Sequence, residues 1–429
     1  MARDTRREAR TQGASICGHI GATEDAASRR VSPASRPDPL FGQALKPALL
    51  ALAGVLVATA TAAPSADPGI TSQTILLGAS APLSGPESPS AVVARGASAY
   101  FRYVNTRGGV NGRTIAYKVV DDASDPAQAL QATQQLVEQD GVFAIVNPVG
   151  TERNLATRDY LNAAKVPQLF VGSGATTFGS DYRRYPWTIG FQPSHRAEGS
   201  IYGRYVSRSR PGAKIAVLYQ DDAAGTDLLA GLRQGIARSK ARVVAAEPVD
   251  APGPDETQVA SLKASGANVL ALFVPPDQAT QIYAHVNRLG WRPLVVANAA
   301  AKVEGAVSIA FLKDPTDVAW RDDAAMKLYR SIMSRYAKGA NAKDVGHVYG
   351  MAVAYETVKV LKAAGETPTR AAVVARTRKL SDASNPFLLP GIAVRTTATD
   401  HFPIEQALLQ RWSKGTRTSF GGLWVYRAR

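Results

Sequence analysis

Sulfur ligands and catalytic signatures are scarce in this sequence. Cys17 is the only cysteine among 429 residues, which excludes a disulfide framework and any metal site built from several cysteines. The five histidines are scattered, with no second ligand at metal-binding spacing. The chain has no His-Glu-x-x-His motif, no Gly-x-x-x-x-Gly-Lys loop and no Gly-x-Ser-x-Gly turn between a strand and a helix. We therefore predict no metal, no cofactor and no catalytic residue.

Concentrated charge of one sign is also missing. The net charge is +15, but the basic residues are spread along the chain and form no block interleaved with aromatic residues. Nucleic-acid-binding proteins usually concentrate such residues on one face or in one tail. We therefore predict no nucleic-acid partner and only a mild attraction for anions.

One long apolar run interrupts an otherwise mixed sequence. Residues 48–63 read ALLALAGVLVATATAA, follow several basic residues and end in small residues. The run is shorter than the roughly 20 residues of a membrane span, and its composition is typical of a secretory signal cleaved near Ala62 or Ala63. We predict that residues 1–63 are a disordered leader plus signal peptide and that the mature protein is periplasmic. A retained anchor and a buried helix are the alternatives.

After this run, short β-branched segments alternate with helical patterns, and the alternation predicts βα units with mostly parallel sheets. Two successive sets of four strands predict two similar lobes, with the C-terminal segments completing both. The predicted strands are residues 75–79, 114–120, 142–146 and 168–172, then 214–219, 242–246, 269–274 and 294–297.

Loops rich in glycine and hydroxyl residues follow the first, third and fourth predicted strands. They comprise residues 81–86, 147–151 and 172–177. Ligands of open α/β sheets bind outside the carboxyl ends of the strands, so N–H and O–H groups of these loops are candidates for binding a carboxylate. The alternative is that glycine, serine and threonine simply form turns and helix caps here.

Two motifs in the first half point to a family. They are GGVNGR at residues 108–113 and DDASDP at residues 121–126. With these motifs the chain resembles the substrate-binding proteins of branched-chain amino-acid-type ABC transporters, the Leu/Ile/Val-binding or type I periplasmic binding family. The resemblance continues through residues 166–179, 213–225 and 388–412.

The resemblance implies an α/β fold of two Rossmann-like lobes with central, mostly parallel sheets, joined by a hinge of three crossovers. The lobes of such proteins close over a small ligand, and no reaction is implied. The expected N-terminal lobe comprises residues 64–192 and 321–395. The expected C-terminal lobe comprises residues 193–320 and 396–429.

The resemblance also implies candidate ligand contacts. It places a ligand carboxylate at the loop after the third strand and at the loop after the fourth. These residues are Gly150, Thr151, Gly174, Ala175 and Thr176. Other candidates are Ser84 in the first loop, Asn298 after the fourth strand of the second lobe, and the cleft-wall aromatics Tyr219, Phe273 and Tyr349.

Selectivity is where the sequence departs from the amino-acid binders of this family. Those members carry an acidic residue after the fourth strand of the second lobe, whereas Asn298 follows that strand here and no acid is nearer than Glu304. A buried ammonium group without a carboxylate partner would lose several kcal/mol. The sequence therefore predicts a small carboxylate without an α-amino group.

We thus predict the extracytoplasmic solute-binding component of an ABC importer. It would deliver an aromatic or branched aliphatic carboxylate to a permease and ATPase complex in the inner membrane. Two alternatives keep the binding function: a ligand sensor for a membrane receptor, and a true branched-chain amino-acid binder. An exported α/β hydrolase is a third, for which the sequence offers no nucleophile and base pair.

Overall fold

A computed structural model describes residues 67–249 and 256–427 of the chain. The predicted leader and signal peptide lie outside the described residues. Within the described ranges, no helix combines the length and the hydropathy needed to cross a membrane.

The first half of the structure is built on a parallel sheet. Its strands are β1 (Thr74–Ala81), β2 (Thr114–Asp121), β3 (Ala144–Val146), β4 (Gln168–Val171) and β5 (Thr188–Gly190). The order is β2-β1-β3-β4-β5, and every neighbouring pair is parallel. The first four strands were predicted from the sequence. The fifth was not, because three residues are too few to show a pattern.

Helices cover this sheet, and some of them come from the C-terminal part of the chain. They are α1 (Val92–Asn105), α2 (Pro126–Gln134, extended by a π-helical turn at Gln135–Gln139), α3 (Thr151–Ala163), α4 (Thr177–Ser180), α9 (Ala324–Tyr336), α10 (Val345–Ala363) and α11 (Arg370–Thr377). The predicted cap of α2 is present, since the Asp125 side chain accepts a hydrogen bond from Gln128 N at 2.8 Å. Buried side chains of α1, α9, α10 and the first sheet share one hydrophobic core.

The second half contains a seven-stranded sheet. Its strands are β6 (Lys214–Gln220), β7 (Arg242–Val249), β8 (Val269–Phe273), β9 (Leu294–Ala297), β10 (Val307–Ala310), β13 (Gln406–Ser413) and β14 (Thr416–Val425). The order is β14-β13-β10-β9-β8-β6-β7. The pairs of β13 with β10 and with β14 are antiparallel, and the others are parallel.

The helices of the second half are α5 (His195–Ser209), α6 (Ala223–Ile236), α7 (Glu256–Ala264) and α8 (Pro276–Arg288). A two-stranded ribbon, β11 (Ser381–Asp382) with β12 (Val394–Arg395), completes the described elements together with short 3-10 turns at Ser88–Ala91 and Val318–Trp320. Neither α5 nor β10 was predicted. The α/β fold with mostly parallel sheets is confirmed, whereas the residues assigned to each lobe stay a prediction.

Two helix pairs approach so closely that their backbones touch. A Cβ added at Gly199 of α5 would lie 2.1 Å from the Leu228 carbonyl oxygen of α6. A Cβ at Gly350 of α10 would lie 2.0 Å from the Val93 carbonyl oxygen of α1. Real side-chain atoms do not tolerate such distances, so each pair depends on glycine at the contact.

The substitution Gly199→Ala should lower the free energy of unfolding by about 1–3 kcal/mol, because the added methyl group forces α5 and α6 apart. Urea unfolding measures this change. Gly422→Ala is the matched control, since a Cβ there meets no atom within 4 Å. Equal stability of the two variants would contradict the role of the contact.

The first half also buries a pair of carboxyl groups. Glu356 is fully buried, and its Oε1 accepts a hydrogen bond from Asn385 Nδ2 at 2.9 Å. Among the described residues, no donor reaches Glu356 Oε2 or Asp382 Oδ2. The other Asp382 oxygen pairs with Lys359 at 2.8 Å. Burial, together with the charge of Asp382, raises the pKa of Glu356 to about 8, so Glu356 carries a proton at neutral pH.

This pair predicts a pH dependence of stability. The pKa of Glu356 in the folded state lies above its unfolded value, so its stabilising contribution is complete below about pH 4.5 and is lost as the pH rises through about 8. The free energy of unfolding falls by at most about 1.4 kcal/mol per pH unit, because one proton is involved. Glu356→Gln should therefore flatten the fall in unfolding free energy between about pH 6 and pH 8. Parallel profiles for wild type and variant would contradict this.

Candidate functional site

A cavity of about 450 Å³ lies between the two halves. Its volume is within the range of about 300–1,000 Å³ that small-molecule sites occupy. One wall is mainly apolar, and its members come from both halves of the structure. They are Pro89, Val92, Val93, Val149, Ile309, Ala310, Phe311, Leu312, Val345 and Tyr349.

Tyr349 is the polar exception on this wall. Its ring packs edge-on against Phe191 and Phe311, with ring centroids 5.6 Å and 6.2 Å away. Its hydroxyl is buried and has no hydrogen-bond partner among the described residues. Burial raises the pKa of this phenol above its usual value, so the hydroxyl stays protonated and can donate to a ligand.

Glu198 forms the acidic part of the cavity wall. It lies in the first turn of α5 and is only 3% exposed. Its Oε1 accepts hydrogen bonds from the Tyr202 hydroxyl at 2.8 Å and from Ala299 N at 2.7 Å. Its Oε2 lies 3.6 Å from His195 Nδ1. One oxygen therefore accepts two hydrogen bonds, while the other has only this distant imidazole as a partner within the described ranges.

Arg417, on β14, supplies a buried positive charge to the same wall. It is 6% exposed, and its Nη2 donates to the Ala300 carbonyl oxygen at 3.2 Å. Its Nη1 lies 3.6 Å from Asp314 Oδ2, and its Nε has no partner in the described part of the chain. Burial lowers the pKa of the guanidinium, but an arginine remains protonated in proteins. A buried cation with a free N–H is suited to bind an anion.

Asn298 and Tyr349 are the predicted residues that line the cavity. The Asn298 amide shapes the loop after β9: its Nδ2 donates to the Val274 carbonyl oxygen at 2.6 Å, and its Oδ1 accepts from Ala300 N and Ala301 N. Both ends of this side chain are therefore occupied by the protein itself.

The glycine-rich loops of the first half lie at the border of the cavity. Val149 and Gly172 line it, while the hydroxyls of Thr151 and Ser173 bond to each other at 2.8 Å. Gly150 is the residue before α3. A Cβ at Gly174 would lie 2.7 Å from His195 Nδ1, which places that loop against α5.

Eight of the ten predicted residues do not line the cavity, and four of these lie beyond its border. The Ser84 hydroxyl donates to Asp121 Oδ2 at 2.6 Å, at the end of β1. Ala175 is buried in a small apolar cluster. Phe273 stacks on Tyr202 in the core between the second sheet and α5, and Tyr219 packs against the same core. Their strand positions direct both side chains toward the helix layer, and their role as cleft walls stays a prediction.

Thr176 has an unexpected partner. Its backbone N donates to Asp227 Oδ2, on α6, at 2.8 Å. Asp227 also lies 3.6 Å from Arg196. The amide predicted to bind a ligand carboxylate therefore donates to a carboxylate of the protein in this structure. The buried Thr176 hydroxyl has no partner among the residues that the structure describes.

Glu198 and Arg417 were not predicted from the sequence, and the reasons differ. Glu198 lies on α5, which was not predicted, although Ser194 is a typical N-cap and does accept a hydrogen bond from Ala197 N. Arg417 is buried between two exposed threonines on β14, and a single arginine in a strand carries no sequence signal. The sequence analysis considered an acid only near Asn298, whereas Glu198 lines the cavity from α5.

The two tyrosines Tyr349 and Tyr329 allow a test of the free hydroxyl. Tyr349→Phe should leave the free energy of unfolding unchanged or raise it by up to about 1 kcal/mol, because it removes an unpaired buried group. Tyr329→Phe should lower it by about 0.5–1.5 kcal/mol, since the Tyr329 hydroxyl donates to the Ala342 carbonyl oxygen at 2.8 Å. Chemical denaturation compares them, and a greater loss for Tyr349→Phe would rule out an unpaired hydroxyl.

Two α/β halves with a ligand-sized cavity between them define a class of solute-binding proteins. Residues 74–417 match the model of the periplasmic binding protein family, and the chain belongs to this family. The resemblance noted in the sequence is thereby confirmed.

Relatives with known names extend this result. The chain is 26% identical over 200 residues to Leu/Ile/Val-binding protein homolog 2 of Brucella abortus (strain 2308), a match that covers 46% of this chain and 53% of that protein. The chain thus spans about half the length of the curated relatives it matches.

Two solved structures share the fold. A fatty acid ABC transporter substrate-binding protein from Thermomonospora curvata superposes with a TM-score of 0.72 at 19% identity, over 84% of this chain and 95% of the other. A branched chain amino acid ABC transporter from Thermus thermophilus with bound valine superposes with a TM-score of 0.73 at 16% identity, over 83% and 98% of the two chains.

Proposed function

We propose that this chain is the extracytoplasmic solute-binding component of an ABC importer. It binds a small carboxylate with an aromatic or branched aliphatic skeleton in the cavity and delivers it to an inner-membrane permease and ATPase complex. The observation that carries the proposal is the composition of the cavity, which joins an apolar wall to a buried cation with a free N–H.

The carboxylate end of the ligand is assigned to Arg417. Its Nε has no partner within the described ranges, and its contact with Asp314 is long at 3.6 Å. A ligand carboxylate at this position would gain a charge-assisted hydrogen bond in a site of low solvent exposure.

The skeleton of the ligand is assigned to the apolar wall. Val92 and Val93 on α1, with Ile309 and Phe311, offer aliphatic and aromatic contacts. Burial of apolar ligand surface there contributes affinity of roughly 25 cal/mol per Å² before the costs of association are subtracted. The two superposed structures are named for a fatty acid and for valine, which are both carboxylates with apolar skeletons.

An α-amino group on the ligand is favoured by one specific observation. Glu198 Oε2 lies in the same polar corner as Arg417, because Glu198 bonds Ala299 N and Arg417 bonds the Ala300 carbonyl oxygen. An amino acid carries its ammonium and carboxylate groups on one carbon, so both could be paired in this corner. The true amino-acid binder is therefore the second candidate.

A thermal-shift screen of aryl and alkyl carboxylates and of amino acids tests the function. A ligand at 100 times its dissociation constant stabilises the protein by about 2.7 kcal/mol. Arg417→Gln should weaken the affinity for any ligand found by about 10–100-fold. Arg411→Gln, an exposed arginine on the neighbouring strand β13, is the matched control. Equal affinity of the Arg417 variant and the control would overturn the assignment of the carboxylate.

Matched ligand pairs decide between the two candidates. The pairs are leucine with 4-methylpentanoate and phenylalanine with 3-phenylpropanoate. If Glu198 accepts the ammonium group of the ligand, the amino acid of the accepted pair binds at least as tightly as its des-amino analogue, which selects the amino-acid binder. Glu198→Gln should then weaken the affinity for the amino acid by about tenfold and change the affinity for the analogue by less than about twofold.

Isothermal titration calorimetry measures both pairs. Glutamine keeps an acceptor for Tyr202 and Ala299, so the variant removes only the charge. A tenfold preference of the wild type for the des-amino acid would show that Glu198 is not available to the ligand. The ligand would then be the carboxylate without an α-amino group that the sequence alone predicts.

A further inference from the structure

A second pocket, of about 540 Å³, lies on the first half of the structure and shares no lining residue with the cavity between the halves. Its walls come from α1, from the end of α9 and the residues that follow, and from Leu83 and Val119 beside them. We refer to it as the α1–α9 pocket. The function proposed above does not use it.

Four cations line the α1–α9 pocket: Arg95, Arg102, Arg335 and Lys338. Arg95 and Arg102 are seven residues apart on α1 and so lie on one face of that helix. In the described part of the chain, none of the four is ion-paired with a carboxylate, and the pocket is lined by no aspartate or glutamate. Like charges repel when they are brought together, so the cluster is electrostatically unfavourable without an anion.

Local groups offset only part of this charge. Arg102 Nη1 donates to the Tyr336 carbonyl oxygen at 3.4 Å, and the C-terminal end of α9 carries about half a negative charge. The nearby Asp121, whose Oδ1 accepts hydrogen bonds from the amides of Leu83 and Ser84 at 2.8 Å and 3.1 Å, adds one negative charge against the four positive charges. A net positive potential therefore remains at the pocket.

The rest of the lining is suited to an organic group. Leu83, Ala94, Val119 and Ala337 are apolar, and Leu83 is an unusual surface residue in being 49% exposed. The Tyr336 ring lies beside them, with the Arg335 guanidinium over it at 5.4 Å from its centroid. An anion with an aromatic or aliphatic part would bury this surface as well as neutralise the cations.

We propose that the α1–α9 pocket binds a phosphate monoester, with its phosphate among the four cations and its organic part on Leu83 and Val119. A monoester carries a charge of about −1.5 to −2 at neutral pH, which matches several cations better than a single carboxylate does. The planar guanidinium groups can each make two parallel bonds to phosphate oxygens. The same chemistry is offered by a soluble phosphorylated compound and by the headgroup of phosphatidic acid.

The test uses the purified protein with two probes. Phenyl phosphate, with inorganic phosphate for comparison, represents the soluble source and is titrated by calorimetry at low and high salt. Phosphatidylcholine vesicles with and without phosphatidic acid represent the lipid source and are used in co-sedimentation. Binding to either probe should weaken at high salt, because the cations are exposed and screened.

Two double variants remove charge from the pocket: Arg102→Gln with Arg335→Gln, and Arg95→Gln with Lys338→Gln. The side chains of Arg95 and Lys338 make no hydrogen bond in the described structure. The second double variant therefore still tests the proposal if the first one fails to fold. Arg238→Gln with Lys240→Gln removes two exposed charges from the second half and is the matched control. Each pocket variant should weaken binding by about 5–10-fold, and the control should not.

The outcomes separate the pocket from other sites. The proposal is supported if the pocket variants, but not the control, bind phenyl phosphate or vesicles with phosphatidic acid more weakly than the wild type. The probe whose binding is weakened shows whether the phosphate monoester is soluble or part of a lipid. Equal weakening by the control, or no binding of either probe at millimolar concentration, overturns it. Arg417→Gln should leave phenyl phosphate binding unchanged, and loss of binding there would assign the probe to the cavity between the halves instead.

Discussion

The site depends on two backbone contacts between helices. At Gly199 the backbone of α5 contacts α6, and at Gly350 the backbone of α10 contacts α1, at distances that exclude any side chain. The residues beside these contacts, Glu198 and Tyr349, line the cavity. Because the helices cannot separate or rotate without breaking close packing, the acidic corner of one half and the free phenol of the other have defined positions.

The buried polar groups of the cavity are only partly satisfied by the protein. Glu198 uses one oxygen for Tyr202 and Ala299, and Arg417 Nε has no partner in the part of the chain that the structure describes. Unpaired buried groups cost stability, and native proteins tolerate them chiefly where a ligand completes the hydrogen bonds. The carboxyl pair of Glu356 and Asp382 is different, because a proton held on Glu356 can satisfy the pair without a ligand.

Charge is distributed unevenly between the two pockets. The lining of the cavity between the halves contains both signs, with Glu198, Asp314 and Arg417 among its residues, whereas the charged residues that line the α1–α9 pocket are all cations. Mixed charge in a buried site favours a ligand that carries both signs or one well-oriented anion. Exposed charge of one sign favours a multiply charged anion and a strong dependence on salt.

The sequence by itself determined the fold class, most strands, the cap of α2 and the family, because these depend on local periodicity, on turn residues and on contiguous motifs. Asn298 and Tyr349 were also identified as residues of the cleft. Only the tertiary structure decided that Glu198 and Arg417 share one corner, that Phe273 points into the core and that Thr176 meets Asp227. Those relations join residues far apart in the chain through helix packing and strand register, which no local pattern encodes.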